Sequence, residues 1–209
     1  MEFVNDADYK VSLYETIDGK CNRLWVCPIY EKWHQMKTRT TNNNYQKARP
    51  TYLDSSVCKE WHSFSNFKSW IETNPVFNYI SELELDKDLI NSSMQIYSPQ
   101  TCLLIPSYIN NAFRVSNGSR GIYPVGVSKD GNLFKTSMRM FGVLKNKGRF
   151  KTPQEAHKAW QLGKIEYTDL IIRKYRTEKY YYHDVEDALN NIKNRLVYDH
   201  TNNIETIKI

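Results

Sequence analysis

The dipeptide Asp130-Gly131 constrains this chain more than any other local feature. It lies inside GIYPVGVSKDGNLFKTSMRM (121–140), between two runs of strand-forming residues, and Asp-Gly there is a strong hairpin signal. A third strand follows in VLKNKGRF. TPQEAHKAWQLGK then opens a helix, with Thr152 as N-cap, Pro153 at the first position and Glu155 completing a capping box. Ala156, Ala159 and Trp160 give that helix an apolar face. The expected unit is three antiparallel strands with one helix packed behind them. Strand alternation puts Leu133, Lys135, Ser137 and Arg139 on one face, and Phe134, Thr136, Met138 and Met140 on the face toward the helix.

Charge is concentrated in the same segment. The whole chain carries a formal +6, but residues 120–164 hold 10 Lys/Arg against 2 Asp/Glu. A local net charge of +8 is the electrostatic footprint of a protein that meets a polyanion. Residues 1–115 are close to neutral, with 12 Lys/Arg and 13 Asp/Glu.

Other classes are disfavoured. No apolar run approaches the roughly 20 residues that span a bilayer, and MEFVNDADYK has no apolar segment of a secretory signal. The expectation is a cytoplasmic protein with no membrane partner. Cys21, Cys27, Cys58 and Cys102 form no CxxC pair, so they read as buried or free thiols rather than a disulfide framework or a zinc cluster.

In the N-terminal half, CPIYEKWHQMKTR (27–39) sets Ile29, Trp33 and Met36 on one helical face. VCKEWHSFSNFKSWIE (57–72) sets Trp61, Phe64, Phe67, Trp70 and Ile71 at helical spacing, with Ser63 or Ser65 as its cap. Residues 83–113 read as a strand (83–90), a polar loop (91–101), a strand (102–105) and a helix (106–113) with Pro106 in its first turn. The Ser/Asn/Gly-rich stretch 114–121 is the expected domain boundary. Residues 165–199 read as helical, and 200–209 as a frayed tail.

Two segments carry family resemblances. Trp33…Met36…Arg39, VCKEWHSFSNFKSW and LDKDL…IYSPQTC…P…IN together resemble the HNH-like endonucleases of phages and mobile elements, over about residues 27–113. PVGVSKDGNLFKTSM…GVLKNKGRFKTPQEAHKAW resembles the APETALA2-type DNA-binding domain, over about residues 122–164. The resemblances imply an α+β chain: a ββα-metal module with aromatic helices in 1–115, a sheet-and-helix DNA-binding domain in 120–164, and a C-terminal helical extension in 165–209.

The implied function is metal-dependent hydrolysis of duplex DNA, homing-like or host-directed, in the host cell cytoplasm of a phage. The HNH-like resemblance puts a divalent metal ion, of the Mg²⁺ kind, on Asp86 and Asn110, with Asn111 as the neighbouring possibility. Its general base is usually a His after the carboxylate, but the pair here is Asp86-Lys87, and Tyr97 stands where a middle Asn is usual. Asp88, His34 and His62 are the other candidate bases beside Lys87. On the sheet, Arg139 is the expected base-edge reader, because its planar fork suits guanine. Ser137 lies on the same face, and Lys129, Lys135, Lys145, Lys147 and Arg149 are expected to neutralise phosphates. The alternative is a catalytically decayed HNH-like protein acting as a sequence-specific DNA-binding regulator. A third reading, a protein inhibitor using its aromatic helices as a binding face, rests on aromatic richness alone.

Overall fold

Asp18 and Gly19, with φ of 50° and 73°, fold the chain back between β1 (Ser12–Ile17) and β2 (Lys20–Val26) in the computed structural model. The structure describes residues 2–114 and 122–207. This hairpin was not among the sequence expectations. Almost all of its residues are exposed, so no inward-outward alternation marks it.

The fold is mixed α+β and divides into two compact units, Met1–Leu104 and Ile105–Ile209. In the first, Pro28 starts α1 (Pro28–Thr41), which buries Ile29, Trp33 and Met36 as its spacing predicts. Asn42 caps the short helix α2 (Asn43–Ala48). The expected helix over 57–72 is broken in two. β3 (Ser56–Val57) and a 3₁₀ turn at Lys59–His62 precede α3 (Phe64–Thr73), which Ser63 caps by accepting the Asn66 N–H. Trp33, Met36, Trp61, Phe64, Phe67 and Ile71 form the core, each at most 1% exposed. The Trp33 indole N–H donates to the Trp61 carbonyl at 2.7 Å, so the deepest aromatic has its polar atom satisfied.

β4 (Leu83–Asp86) is shorter than the expected strand over 83–90. The cause is local. Asp86 Oδ1 accepts the amides of Asp88 (2.9 Å) and Leu89 (2.7 Å), which turns the chain out of the strand. The expected loop 91–101 contains β5 (Ile96–Tyr97), which pairs in parallel with β3. β4 pairs with β6 (Leu103–Pro106), and α4 (Ser107–Phe113) starts one residue after Pro106, not at it.

The second unit is the sheet β7 (Val127–Asp130), β8 (Leu133–Met140) and β9 (Val143–Phe150), in the order β7-β8-β9 and antiparallel throughout. α5 (Pro153–Tyr175) carries the capping box of Thr152 and Glu155. It covers the face of Thr136, Met138 and Met140. Helix and strands approach closely: a Cβ on Gly126 (φ 79°) would meet the Trp160 ring at 2.0 Å.

The domain limits differ from those expected. α5 runs unbroken across 164/165, so 165–209 is no separate extension, and α6 (His183–Thr201) packs back on it through buried Val185, Leu189 and Leu196. α4 belongs with the sheet and α5. Lys164 Nζ donates to the Ala112 carbonyl, and the Tyr108 and Phe141 ring centroids lie 5.9 Å apart. The chain therefore divides at 104/105 and not at 114–121, a stretch of which residues 115–121 lie outside the described residues. The tail is not frayed at 204–206. Thr206 is 2% exposed, its amide donates to His157 Nε2 at 3.0 Å, and its hydroxyl donates to Asp199 at 2.8 Å.

Candidate functional site

The register of the sheet assigns each basic side chain to a face. Directly paired residues share a face. Ser128, Lys135 and Arg149 form one row, Ser137 and Asn146 the next, and Arg139 and Leu144 the last. All are exposed, on the side away from α5. Asp130 joins this face and pairs with Arg149 at 2.7 Å and Lys135 at 4.0 Å. Arg139 Nη1 donates to the Gly142 carbonyl at 3.1 Å, which holds its guanidinium along the sheet's end.

Three of the expected phosphate contacts lie elsewhere. A β-bulge between Thr136 and Ser137 leaves Lys147 unpaired on β9. Lys147 turns toward α5, where it pairs with Glu166 at 2.6 Å and lies against Gly163. Lys145 is paired with Met138, and Lys129 with Phe134, so both project from the helix side. Lys129 Nζ sits 5.0 Å from the Phe134 ring centroid. The open face therefore keeps Lys135, Ser137, Arg139 and Arg149 of the seven expected residues.

In the first unit, Asp86, Lys87 and Asp88 form one tight turn. Burial, and then the charge of Asp88, push the Asp86 carboxyl up to about 6. Lys87 points the other way. It is 4% exposed, bonds Asp88 Oδ1 at 2.7 Å and Gln95 Oε1 at 3.4 Å, and lies over the Tyr97 ring. An ammonium held by a carboxylate in the interior is a counter-ion, not a base. His62 stacks on Phe3 with centroids 4.4 Å apart, and His34 lies beside Tyr30. Among the described residues, no three His, Cys, Asp or Glu side chains are grouped to hold a metal. Asn110 and Asn111 stand on α4, which belongs to the second unit, and Asp86 belongs to the first.

Sequence reasoning missed a polar stripe on α1. Lys32, Gln35 and Arg39 recur at helical spacing beside the apolar stripe, and with residues 81–85 they line a cavity of about 370 Å³. The spacing was legible, but the helix reads first as a core element through its apolar face, with Arg39 alone of the stripe quoted in the HNH-like resemblance. Among protein-family models, curated proteins and solved structures, none matches this chain.

Proposed function

We propose that the chain is a phage-type DNA-acting protein. The open face of β7–β9 binds duplex DNA, and the first unit is an HNH-like endonuclease module with Asp86 as its metal carboxylate. The observation that carries the DNA reading is a sheet with one face covered by α5 and the other presenting Lys135, Arg139 and Arg149. Lys135 and Arg149 neutralise phosphates, and Arg139 reaches base edges beside Ser137.

A Mg²⁺-type ion would suit the carboxylate of Asp86, because such ions take hard oxygens and keep several waters; Asn110, the other expected ligand, lies on α4 in the second unit. When bound, it stabilises charge developing on the phosphate and the leaving oxygen. Asp86 is the residue of the turn best fitted to it, since a half-buried carboxyl raised to about 6 gains from a cation beside it.

A second reading, a DNA-binding regulator with a decayed core, is favoured by one observation: the buried Lys87 fills the position of the usual base. Incubation with supercoiled plasmid and Mg²⁺ or Mn²⁺, beside an EDTA control and a gel-shift series in salt, separates the two. Nicking or linearisation that needs metal and is lost in Asp86→Ala is the expected result. Salt-sensitive shifting without cleavage selects the regulator. Absence of duplex binding at low salt refutes both. Among the described residues no helix is long and apolar enough to cross a membrane.

A further inference from the structure

The segment TTNNNYQKARP (40–50) has no part in the turn at Asp86 or in the sheet. From Lys32 to Leu53 the chain has five Lys/Arg and no Asp/Glu. Lys32, Lys37 and Arg39 are half-buried, whereas Lys47 and Arg49 are exposed. Among the described residues, no carboxylate lies within ion-pair distance of Lys47 or Arg49. We propose that this edge of the first unit is a binding site for single-stranded nucleic acid, with Arg49 as its stacking surface and Lys47 as its phosphate contact.

Cations and rings alternate along this edge. The Arg49 guanidinium carbon lies 4.6 Å from the Tyr45 ring centroid. The Tyr45 and Tyr52 centroids are 5.8 Å apart, and the Arg39 guanidinium carbon is 5.7 Å from the Tyr52 ring. The inner end of the row is anchored, because Arg39 donates to the Tyr97 hydroxyl at 3.5 Å. The outer end, Arg49, is open to solvent. The backbone beneath is held as well. Buried Gln46 donates from its amide to the Arg39 carbonyl at 3.1 Å and the Tyr52 carbonyl at 3.3 Å. Asn42 Oδ1 accepts the Tyr45 N–H at 2.9 Å, and the Arg49 amide donates to the Tyr45 carbonyl at 2.9 Å. A ligand here meets groups already fixed in place, so less ordering entropy is lost on binding.

The row sets the class of ligand. A guanidinium resting on a ring is a planar cation: an unpaired base stacks on its plane, and its N–H groups reach a phosphate at its edge. Base faces inside a duplex are covered by their neighbours, so a stacking surface takes single strands. Lys47, two residues before Arg49, adds a point charge for the backbone. The exposed amides of Asn43 and Asn44 add neutral donors and acceptors. An acidic peptide is the closest competitor, since it answers the charges, but it brings no flat ring to Arg49. This site lies in a different unit from the sheet, and it needs neither a metal nor cleavage.

The test uses the full chain in EDTA, so that metal-dependent cleavage does not enter the readout. Fluorescence anisotropy follows a labelled oligothymidylate, against an abasic strand of the same length, oligouridylate and polyglutamate. Oligothymidylate is expected to bind saturably and about tenfold more tightly than the abasic strand, because stacking is what the bases add. Arg49→Ala is expected to weaken it about fivefold or more, with the circular dichroism of the parent. Arg49→Lys keeps the charge and loses the plane, so it should weaken oligothymidylate and leave the abasic strand unchanged. Lys47→Ala should weaken both strands and lower the salt slope by about 0.7. Changing Lys135 and Arg149 together to Ala is expected to leave single-strand affinity at the parent value whatever it does to duplex binding, so failure of the sheet reading is separable from failure here. Oligouridylate distinguishes the sources: displacement at equal concentration admits RNA, and failure to displace assigns DNA, both with the site intact. The site is refuted if no single strand binds saturably, if the abasic strand binds as tightly as oligothymidylate, or if Arg49→Ala and Arg49→Lys both keep the parent affinity. Displacement by polyglutamate at equal charge refutes it in favour of an acidic peptide, and loss of single-strand binding in the Lys135 and Arg149 variant refutes it in favour of the sheet.

Discussion

Asp86→Asn should stabilise the first unit at neutral pH, and the gain should fade in acid. The carboxyl rises from 3.8 to about 6 in the folded chain. The folded state therefore holds the Asp86 proton more tightly than the unfolded state does, and ionised Asp86 weighs against folding. At about 1.36 kcal/mol per unit, the weight is about 3 kcal/mol near pH 7.5, where the carboxyl is ionised in both states. It falls to about 1 kcal/mol near pH 4.5, where the folded carboxyl is protonated and the unfolded one is not yet fully so. Below the unfolded value it vanishes. Half-burial makes these figures upper bounds, because water screens part of the charge. Asparagine keeps the Oδ1 acceptor for the Asp88 and Leu89 amides, so the turn survives the change. Urea unfolding followed by tryptophan fluorescence reports mainly on this unit, because it holds Trp25, Trp33, Trp61 and Trp70 of the chain's 5 tryptophans. The reasoning fails if Asp86→Asn is no more stable than the parent near pH 7.5, or if the gap does not narrow on acidification.

The bulge gives a sharper expectation for DNA binding than strand alternation does. Lys135→Ala and Arg149→Ala should each weaken all duplexes and lower the salt slope by about one phosphate-equivalent, whereas Lys145→Ala and Lys147→Ala should change it little; equal losses at all four in salt-dependent gel shifts would rule out the face assignment. Arg139→Ala should cost roughly 1–3 kcal/mol on a preferred site and much less on random DNA, provided the guanidinium leaves Gly142 for a base edge. Gly126→Ala should destabilise the second unit by more than about 2 kcal/mol in thermal unfolding, since it combines a φ of 79° with a Cβ 2.0 Å from Trp160. Lys87→Met should leave any metal-dependent nicking unchanged, because replacing a buried charge by a well-packed apolar chain is often neutral; loss of nicking with the fold intact would make Lys87 catalytic after all.

What was legible in the sequence was local and backbone-driven. Asp130-Gly131 closes its hairpin with Gly131 at φ 61°, the capping box of Thr152 and Glu155 forms, and Ser63 caps α3. Each depends on a few adjacent residues whose own chemistry fixes the geometry. The apolar stripes of α1 and α3 were legible for the same reason, as periodicity needs no knowledge of the partner. Asp18-Gly19 carries the same hairpin signal as Asp130-Gly131 but sits between strands with no buried face, so the supporting alternation was missing.

What was not legible depended on one residue of register or on a partner far along the chain. Odd-numbered Lys145, Lys147 and Arg149 read as one face, but the bulge opposite Thr136/Ser137 inserts one residue into β9. Arg149 is then opposite Lys135 on the open face, while Lys145 is opposite Met138 on the helix side. A shift of one residue exchanges the faces of a strand, and nothing in VLKNKGRF marks where it falls except Gly148, at φ 126° beside the irregularity. The same logic applies to Asp86 and Lys87. Adjacent strand-end residues point to opposite sides, so a carboxylate kept half-open there puts its neighbour in the interior, and Asp88, Gln95 and Tyr97 supply the surroundings an interior ammonium requires. Lys87 is thus held in the interior by Asp88 and Gln95, and on the endonuclease reading proposed above the proton acceptor would come from the solvent side of that turn.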